Sequence, residues 1–371
     1  MKMNKAQLID HLTTGENFED RFIPDFNLGM VFPVIQKYLS QRADAITVQV
    51  KGNNIIIKAI RNGVLIDNTV RIRINEDTEL NFLDGLCIDG FDIEAVNLSE
   101  NYFLIQTKKN KHLMERTFLR DREVNKMLNT ASGAVYITSR SEVTAMSMYS
   151  AVNEYIGGSQ VVVERIDGAW VYTVNGEVEQ SATLEDLVND ITSLSVRVVS
   201  FLGVDFVLAT DAAYELVKNG VLVFISCVAQ SSINVFVQTL SMFTCSQLSQ
   251  FLIGVYGTVE LPTYDTNSKM KVQFKDSYAY DFYSKIDSSP MPEDIVCIVG
   301  NNEDSLSRMV ITDFIKTPHN PSSFMDVTFT VLDVYSALRL TKWESMLDKA
   351  MPLVKEKRIG LDTVDKFIGK I

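Results

Sequence analysis

Apolar positions follow two different rhythms along this chain. The first third alternates. "AITVQV" (Ala45 to Val50) turns at "KGNN" into "IIIKAIR" (Ile55 to Arg61), and an Asn62-Gly63 pair, a strong tight-turn signal, leads into "VLIDNTVRIRI". "RIRI" switches between charged and apolar at every residue, so that strand has one wet face. "FDIEAVNL" and "YFLIQTKK" continue the β pattern, and "PVIQKYLSQRA" (Pro33 to Ala43) ahead of them reads as a helix. Residues 1–115 are therefore expected to form a small α+β unit.

The remainder is built from solid apolar blocks between helical stretches. "GAVYIT", "SQVVVERI", "VRVVSFLG" and "GVLVFISCV" read as buried strands. "REVNKMLNTA", "VTAMSMYSAVNEYI", "ATLEDLVNDITS" and "ATDAAYELVKN" read as helices. In the second, Val143, Met146, Tyr149 or Ser150, and Val152 or Asn153 recur at helical spacing. Thr183 with Asp186 forms a capping-box variant at the start of the third, and Gly220 stops the fourth. This alternation predicts a mostly parallel sheet covered on both faces. "WESMLDKAMPLVKEKRIGLDTVDKFIGKI" closes the chain as two helices joined at Lys357 to Leu361.

Composition narrows the function. With 371 residues, 46% of them apolar and 22% charged, the chain has the profile of a globular protein of about two domains. A net charge of −12 argues against nucleic acid as the main partner. "KKNKHLMER" (Lys108 to Arg116) is expected to be a solvated surface turn. No apolar run approaches the roughly 20 residues that cross a bilayer, and the longest, "VLVFISCVA", suits a central strand. The amino-terminal residues lack an apolar signal segment, which predicts a cytoplasmic protein without membrane insertion. Cys87, Cys227, Cys245 and Cys297 are scattered and His11, His112 and His319 have no motif around them. Free thiols and no metal site are expected, and no Ser-His-Asp or Cys-His grouping stands out. "YAYDFY" (Tyr278 to Tyr283) suggests a β-hairpin packing its aromatics.

"RADAITVQVKGNNIIIKAIRNGVL", "GAVYITSRSEVTAMSMYSAVNEYIGGSQVVVERIDG", "FVLATDAAYELVKNGVLVFISCVAQSSINVFVQTL" and "WESMLDKAMPLVKEKRIGLDTVDKF" occur in the same order as the sequence motifs of the secretion and pilus ATPases, which power type II and type IVB secretion and type IV pili. The chain resembles that family over most of its length. The resemblance implies a PAS-like amino-terminal α+β domain, then a RecA-like αβα domain over residues 120–371, helical from about 341 to 371. It implies a ring-forming or heteromeric cytoplasmic motor component at the inner membrane, working with an active ATPase and a membrane platform protein.

The departures from the family pattern are concentrated at its nucleotide motifs. The loop Thr138-Ser139-Arg140-Ser141-Glu142-Val143-Thr144-Ala145 has neither glycine nor lysine. Thr144 stands where the family's phosphate-binding Lys belongs, Ala145 at the Ser/Thr hydroxyl, and Ser141 and Val143 at glycine positions. Val resists the positive φ such loops use, and Glu142 adds negative charge where phosphate would sit. Among the acidic-motif positions only Glu164 matches; Arg165 replaces an Asp, Gly203 a Glu, and Val228 the family's His. Thr47 replaces another His, and Asn62-Gly63 stands for Asp-Gly. This predicts a non-catalytic member that binds no cofactor, with Arg61, Arg71 and Arg73 at or near the subunit contact. A functional NTPase with a divergent loop, holding ATP and magnesium, is one alternative. A structural protein of another kind, such as a viral one, is the other.

Overall fold

The computed structural model describes residues 26–368 except 52, 67–68, 74–82, 84–85, 87, 89, 100, 130–131, 157–159, 175–176, 264–268, 287–293, 299–306, 319–320 and 322–329. His11, Cys87 and His319 lie outside the described residues.

Helix α1 (Phe26–Ser40) starts earlier than the sequence suggests and carries Pro33 inside it. A sheet of β1 (Ala45–Lys51), β2 (Asn54–Arg61), β3 (Val64–Leu65), β4 (Val70–Arg73), β5 (Ile93–Ser99) and β6 (Tyr102–Thr107) follows, in the order β3-β2-β1-β6-β5 with β4 also on β2. Period-two alternation sorts its side chains. Ile46, Val48, Ile55, Ile57 and Ile72 turn to α1 and form one core. Thr47, Gln49, Lys51, Ile56, Lys58 and Arg71 share the opposite face, as the registers Thr47 to Lys58, Gln49 to Ile56 and Ile56 to Arg71 require. The Asn62-Gly63 turn has both residues at positive φ (53° and 77°), the conformation that a two-residue hairpin of this hand needs.

Helix α2 (Lys108–Arg120) occupies the stretch expected as a surface turn. The Thr107 hydroxyl accepts from the Asn110 amide, and Asn110, Met114 and Phe118 bury one stripe at four-residue spacing, while Lys108 and Lys109 are exposed and Lys111 pairs with Glu94 and Glu154. After α3 (Arg122–Met127) comes the main sheet. Its strands are β7 (Gly133–Ser139), β8 (Gln160–Ile166), β9 (Ala169–Val174), β10 (Glu177–Ser181), β11 (Val198–Phe201), β12 (Leu222–Val228), β13 (Leu252–Thr263) and β16 (Ser307–Lys316). The order is β10-β9-β8-β11-β12-β7-β13-β16. The five central strands are parallel, as predicted; β9 and β10 at one end and β16 at the other run antiparallel. β14 (Lys269–Gln273) and β15 (Asp294–Ile298) pair separately.

Helix α4 (Glu142–Ile156), which follows the loop after β7, lies between the two sheets and contacts both. All ten residues from Val143 to Val152 are therefore buried, including four that carry a hydroxyl, Thr144, Ser147, Tyr149 and Ser150. One core runs through it, joining Tyr102 and Leu104 of the first sheet to Val135, Ile137 and Phe224 of the second. The other face of the main sheet is covered by α5 (Leu184–Ser193), α6 (Phe206–Lys218), α7 (Ser232–Met242), α8 (Cys245–Phe251) and the closing helices α10 (Val331–Leu340), α11 (Met346–Lys355) and α12 (Leu361–Phe367). The capping box on α5 and the two closing helices, α11 and α12, are as expected. The expected "YAYDFY" hairpin is instead α9 (Tyr278–Ile286): Ala279, Phe282 and Tyr283 are buried at three- and four-residue spacing, and Phe282 meets Tyr335 edge-on. Among the described residues no helix is long and apolar enough to cross a membrane.

Candidate functional site

The loop after β7 lies under the first sheet. A helix amino terminus presents unpaired N–H groups and the positive end of the helix dipole, which suits an anion. In α4 the first residue is Glu142, which brings a negative charge to that end, while the Ser141 hydroxyl accepts from the Thr144 amide. The Glu142 carboxylate pairs with Lys58 of β2 and accepts a hydrogen bond from the Tyr102 hydroxyl of β6 at 2.8 Å. Burial first, and then the Glu142 charge, push the Tyr102 phenol well above its usual range, so it stays a donor. Beside it, Ser99 of β5 donates to buried Glu164 of β8. At the loop tip the exposed Arg140 guanidinium donates to the Lys366 carbonyl of α12 at 2.5 Å.

Two residues further along the helix, Thr144 is fully buried and donates to Glu260 of β13 at 3.3 Å. Glu260 also accepts from Arg308 of β16 at 2.7 Å, and the same Nη1 reaches Asp44, just before β1, at 2.9 Å. Asp44 in turn accepts from the Asn62 amide of the hairpin turn at 2.5 Å. Arg308 thus bridges a carboxylate from each sheet. Burial raises the pKa of both Glu260 and Asp44, and Arg308 pulls each part of the way back. Gly63 is needed at this joint: a Cβ there would lie 2.5 Å from the Glu260 carbonyl oxygen.

The remaining residues picked from sequence are distributed as follows. Thr138, Ser139, Val143 and Ala145 are buried, and Ser141 is half-buried, its hydroxyl 3.4 Å from the Thr144 amide. Arg165 lies over the Trp170 ring, 4.6 Å from its centre, and Asp167-Gly168 is the β8–β9 hairpin turn rather than part of an acidic loop. Gly203 adopts φ 64°, and a Cβ there would stand 3.1 Å from the Gln49 amide nitrogen, which accounts for glycine at that position. Arg61 is exposed and reaches the Gln41 carbonyl, away from Arg71; Arg71 and Arg73 are exposed on β4. Cys227 is a free thiol that burial pushes up to about 12, so it is no nucleophile at neutral pH.

These elements enclose a cleft of about 600 Å³ outside the carboxyl ends of β11 and β12. One wall is cationic, with Lys51, Lys58 and Arg71 from the first sheet. The other is apolar, with Val204, Phe206 and Val228. In sheets of this kind ligands enter at that end of the strands. Among the described residues no group of His, Cys, Asp or Glu could hold a metal ion. Sequence reasoning found Glu142, Thr144 and Arg71 but missed Lys58, Tyr102, Glu260 and Arg308. Glu260 interrupts the apolar run of β13, a local signal of a buried charge in need of a partner.

No protein-family model and no curated protein sequence matches the chain. Among solved structures it is similar to the Legionella pneumophila ATPase DotB at 12% identity, over 94% of this chain and 97% of that one, with a TM-score of 0.50. The chain has the fold of the ATPase DotB. Two further likenesses are the pilus retraction motor PilT with bound ADP (12% identity, 91% and 96% covered, TM-score 0.46) and the Yersinia pseudotuberculosis DotB (10%, 94% and 95%, 0.43).

Proposed function

We propose that this protein is a non-catalytic structural or regulatory component of a type IV pilus or type II/IVB secretion motor. It assembles with itself or with an active ATPase, in the cytoplasm against an inner-membrane platform protein. Its working units are residues 1–115 and 120–371. The observation that carries the reading is Glu142. At the α4 amino terminus, where this arrangement of strand, loop and helix would take a phosphate, the chain sets its own acidic residue, whose carboxylate is paired with Lys58 and Tyr102 of the first sheet. Thr144, at the position of the phosphate-binding lysine, is committed to Glu260. A phosphate would have to compete with the Glu142 carboxylate for Lys58, and the loop itself offers it neither a lysine nor a glycine-built amide cradle.

The test is nucleotide binding and hydrolysis by the purified protein. ATP or ADP with magnesium is expected to leave the melting temperature unchanged at millimolar concentration. A ligand at 100 times its Kd would add about 2.7 kcal/mol and a clear upward shift. An ATP-specific rise, or turnover above background, would overturn the reading.

A further inference from the structure

We propose that the cleft beside β11 and β12 is a docking slot for the β10 edge strand of a second copy of this chain. The inference deepens the self-assembly part of the proposed function and rests on it. In a chain with net charge −12, one wall of the slot gathers Lys51, Lys58 and Arg71. Lys58 is taken by Glu142, while Lys51 and Arg71 are exposed and in no ion pair among the described residues. The facing wall is apolar, and Val228 on it is 58% exposed. The slot therefore asks for an occupant that is acidic on one side and apolar on the other.

β10 has that pattern. It is the outermost strand of the main sheet, and four of its five residues are exposed. Successive side chains of a strand point to opposite faces, so Glu177 and Glu179 share one side and Val178 takes the other. Both glutamates are exposed, and Val178 is 38% exposed. No described strand pairs with the outer edge of β10. Its two glutamates meet Lys51 and Arg71, while Val178 meets the Val204, Phe206 and Val228 wall. Slot and strand are different surfaces of one molecule, so the contact is head-to-tail and propagates into a ring or a filament. Charge pairing of this kind governs partner choice and association rate.

Sedimentation velocity of the full chain at low and raised salt tests this. Wild type is expected to associate with rising concentration, more weakly in salt. Lys51→Glu with Arg71→Glu, and separately Glu177→Lys with Glu179→Lys, should each weaken association about tenfold. All four changes together should restore it, because the charges are exchanged. Strict monomers at every wild-type concentration would overturn the proposal, as would double variants that assemble like wild type. So would a melting-temperature rise with inorganic phosphate that the Lys51→Glu, Arg71→Glu variant loses, since the slot would then serve a small anion. ATP turnover would sink the non-catalytic reading yet leave these association measurements unchanged, so the two can fail separately.

Discussion

Asp313 is buried on β16, and the Ser232 hydroxyl at the start of α7 donates to it at 2.7 Å. Burial pushes its pKa up from 3.8 to about 6, against the opposing pull of Ser232 and of the Lys349 charge. Below the unfolded value the group is protonated in both states and costs nothing. As pH rises through about 6, the folded state gives up a proton the unfolded chain has already released, and stability is lost across that window. Asp313→Asn removes the penalty while keeping an acceptor for Ser232. The variant should gain on wild type by about 2 kcal/mol between pH 4 and pH 7, most of the free energy that corresponds to raising this carboxyl from 3.8 to about 6 on folding. Paired denaturant curves across that range check it, and a gap independent of pH would refute the assignment. Gly63 offers a second single-residue test. Gly63→Ala meets both positive φ and the Glu260 carbonyl oxygen, whereas Gly168→Ala has φ 87° and nothing within 4 Å of the added carbon. The expected costs are about 3 kcal/mol or more and about 1 kcal/mol, and equal losses would mean that the close approach at Gly63 relaxes freely.

At the scale of elements, α4 shows what the sequence could and could not reveal. Its existence was legible from apolar spacing, but its burial on all sides was not, because that depends on a sheet distant in sequence lying on top of it. The α5 capping box, the Asn62-Gly63 turn and the Gly220 stop were readable because each is decided within a few residues. Asp167-Gly168 carried an equally local turn signal, which the resemblance to an acidic motif obscured. "YAYDFY" and "KKNKHLMER" misled because aromatic or charged composition outweighed the four-residue stripe buried in each. The same burial decides what loop repair would do. Val143→Gly, Thr144→Lys and Ala145→Thr together place a lysine and extra volume where every side chain is enclosed, and put glycine in a helix. The triple variant is expected to lose about 3 kcal/mol or more. It should not hydrolyse ATP, since Gly203 and Arg165 supply no carboxylate. Turnover in this variant would show that the later motifs are aligned wrongly. Thr144→Ser keeps the bond to Glu260 and should lose under about 1.5 kcal/mol, which separates a packing effect from a general failure of the helix.

For the whole molecule, the question is what holds the first sheet onto the second. An apolar core runs through α4, and beside it the Arg308 ion pairs with Asp44 and Glu260 join the two parts directly. Replacing a buried ion pair entirely is often neutral, whereas removing one partner strands the other charge. Here one cation serves two carboxylates whose pKa values burial already raises, so its loss strands Glu260 and leaves Asp44 only the weaker pull of Lys109 and Arg61. Arg308→Met should therefore cost about 3–5 kcal/mol at neutral pH. The sign with pH follows from the same shifts. Without Arg308 both folded-state pKa values rise further, so the variant's deficit is present at neutral pH and closes as acid protonates the carboxylates. Adding Asp44→Asn and Glu260→Gln to Arg308→Met should recover most of the loss, because no buried charge is then left alone. Denaturant unfolding of the three proteins at neutral and mildly acid pH reads both effects. If Arg308→Met is as stable as wild type, or if the neutralising pair fails to rescue it, the sheets are held together by the α4 core and the arginine is incidental.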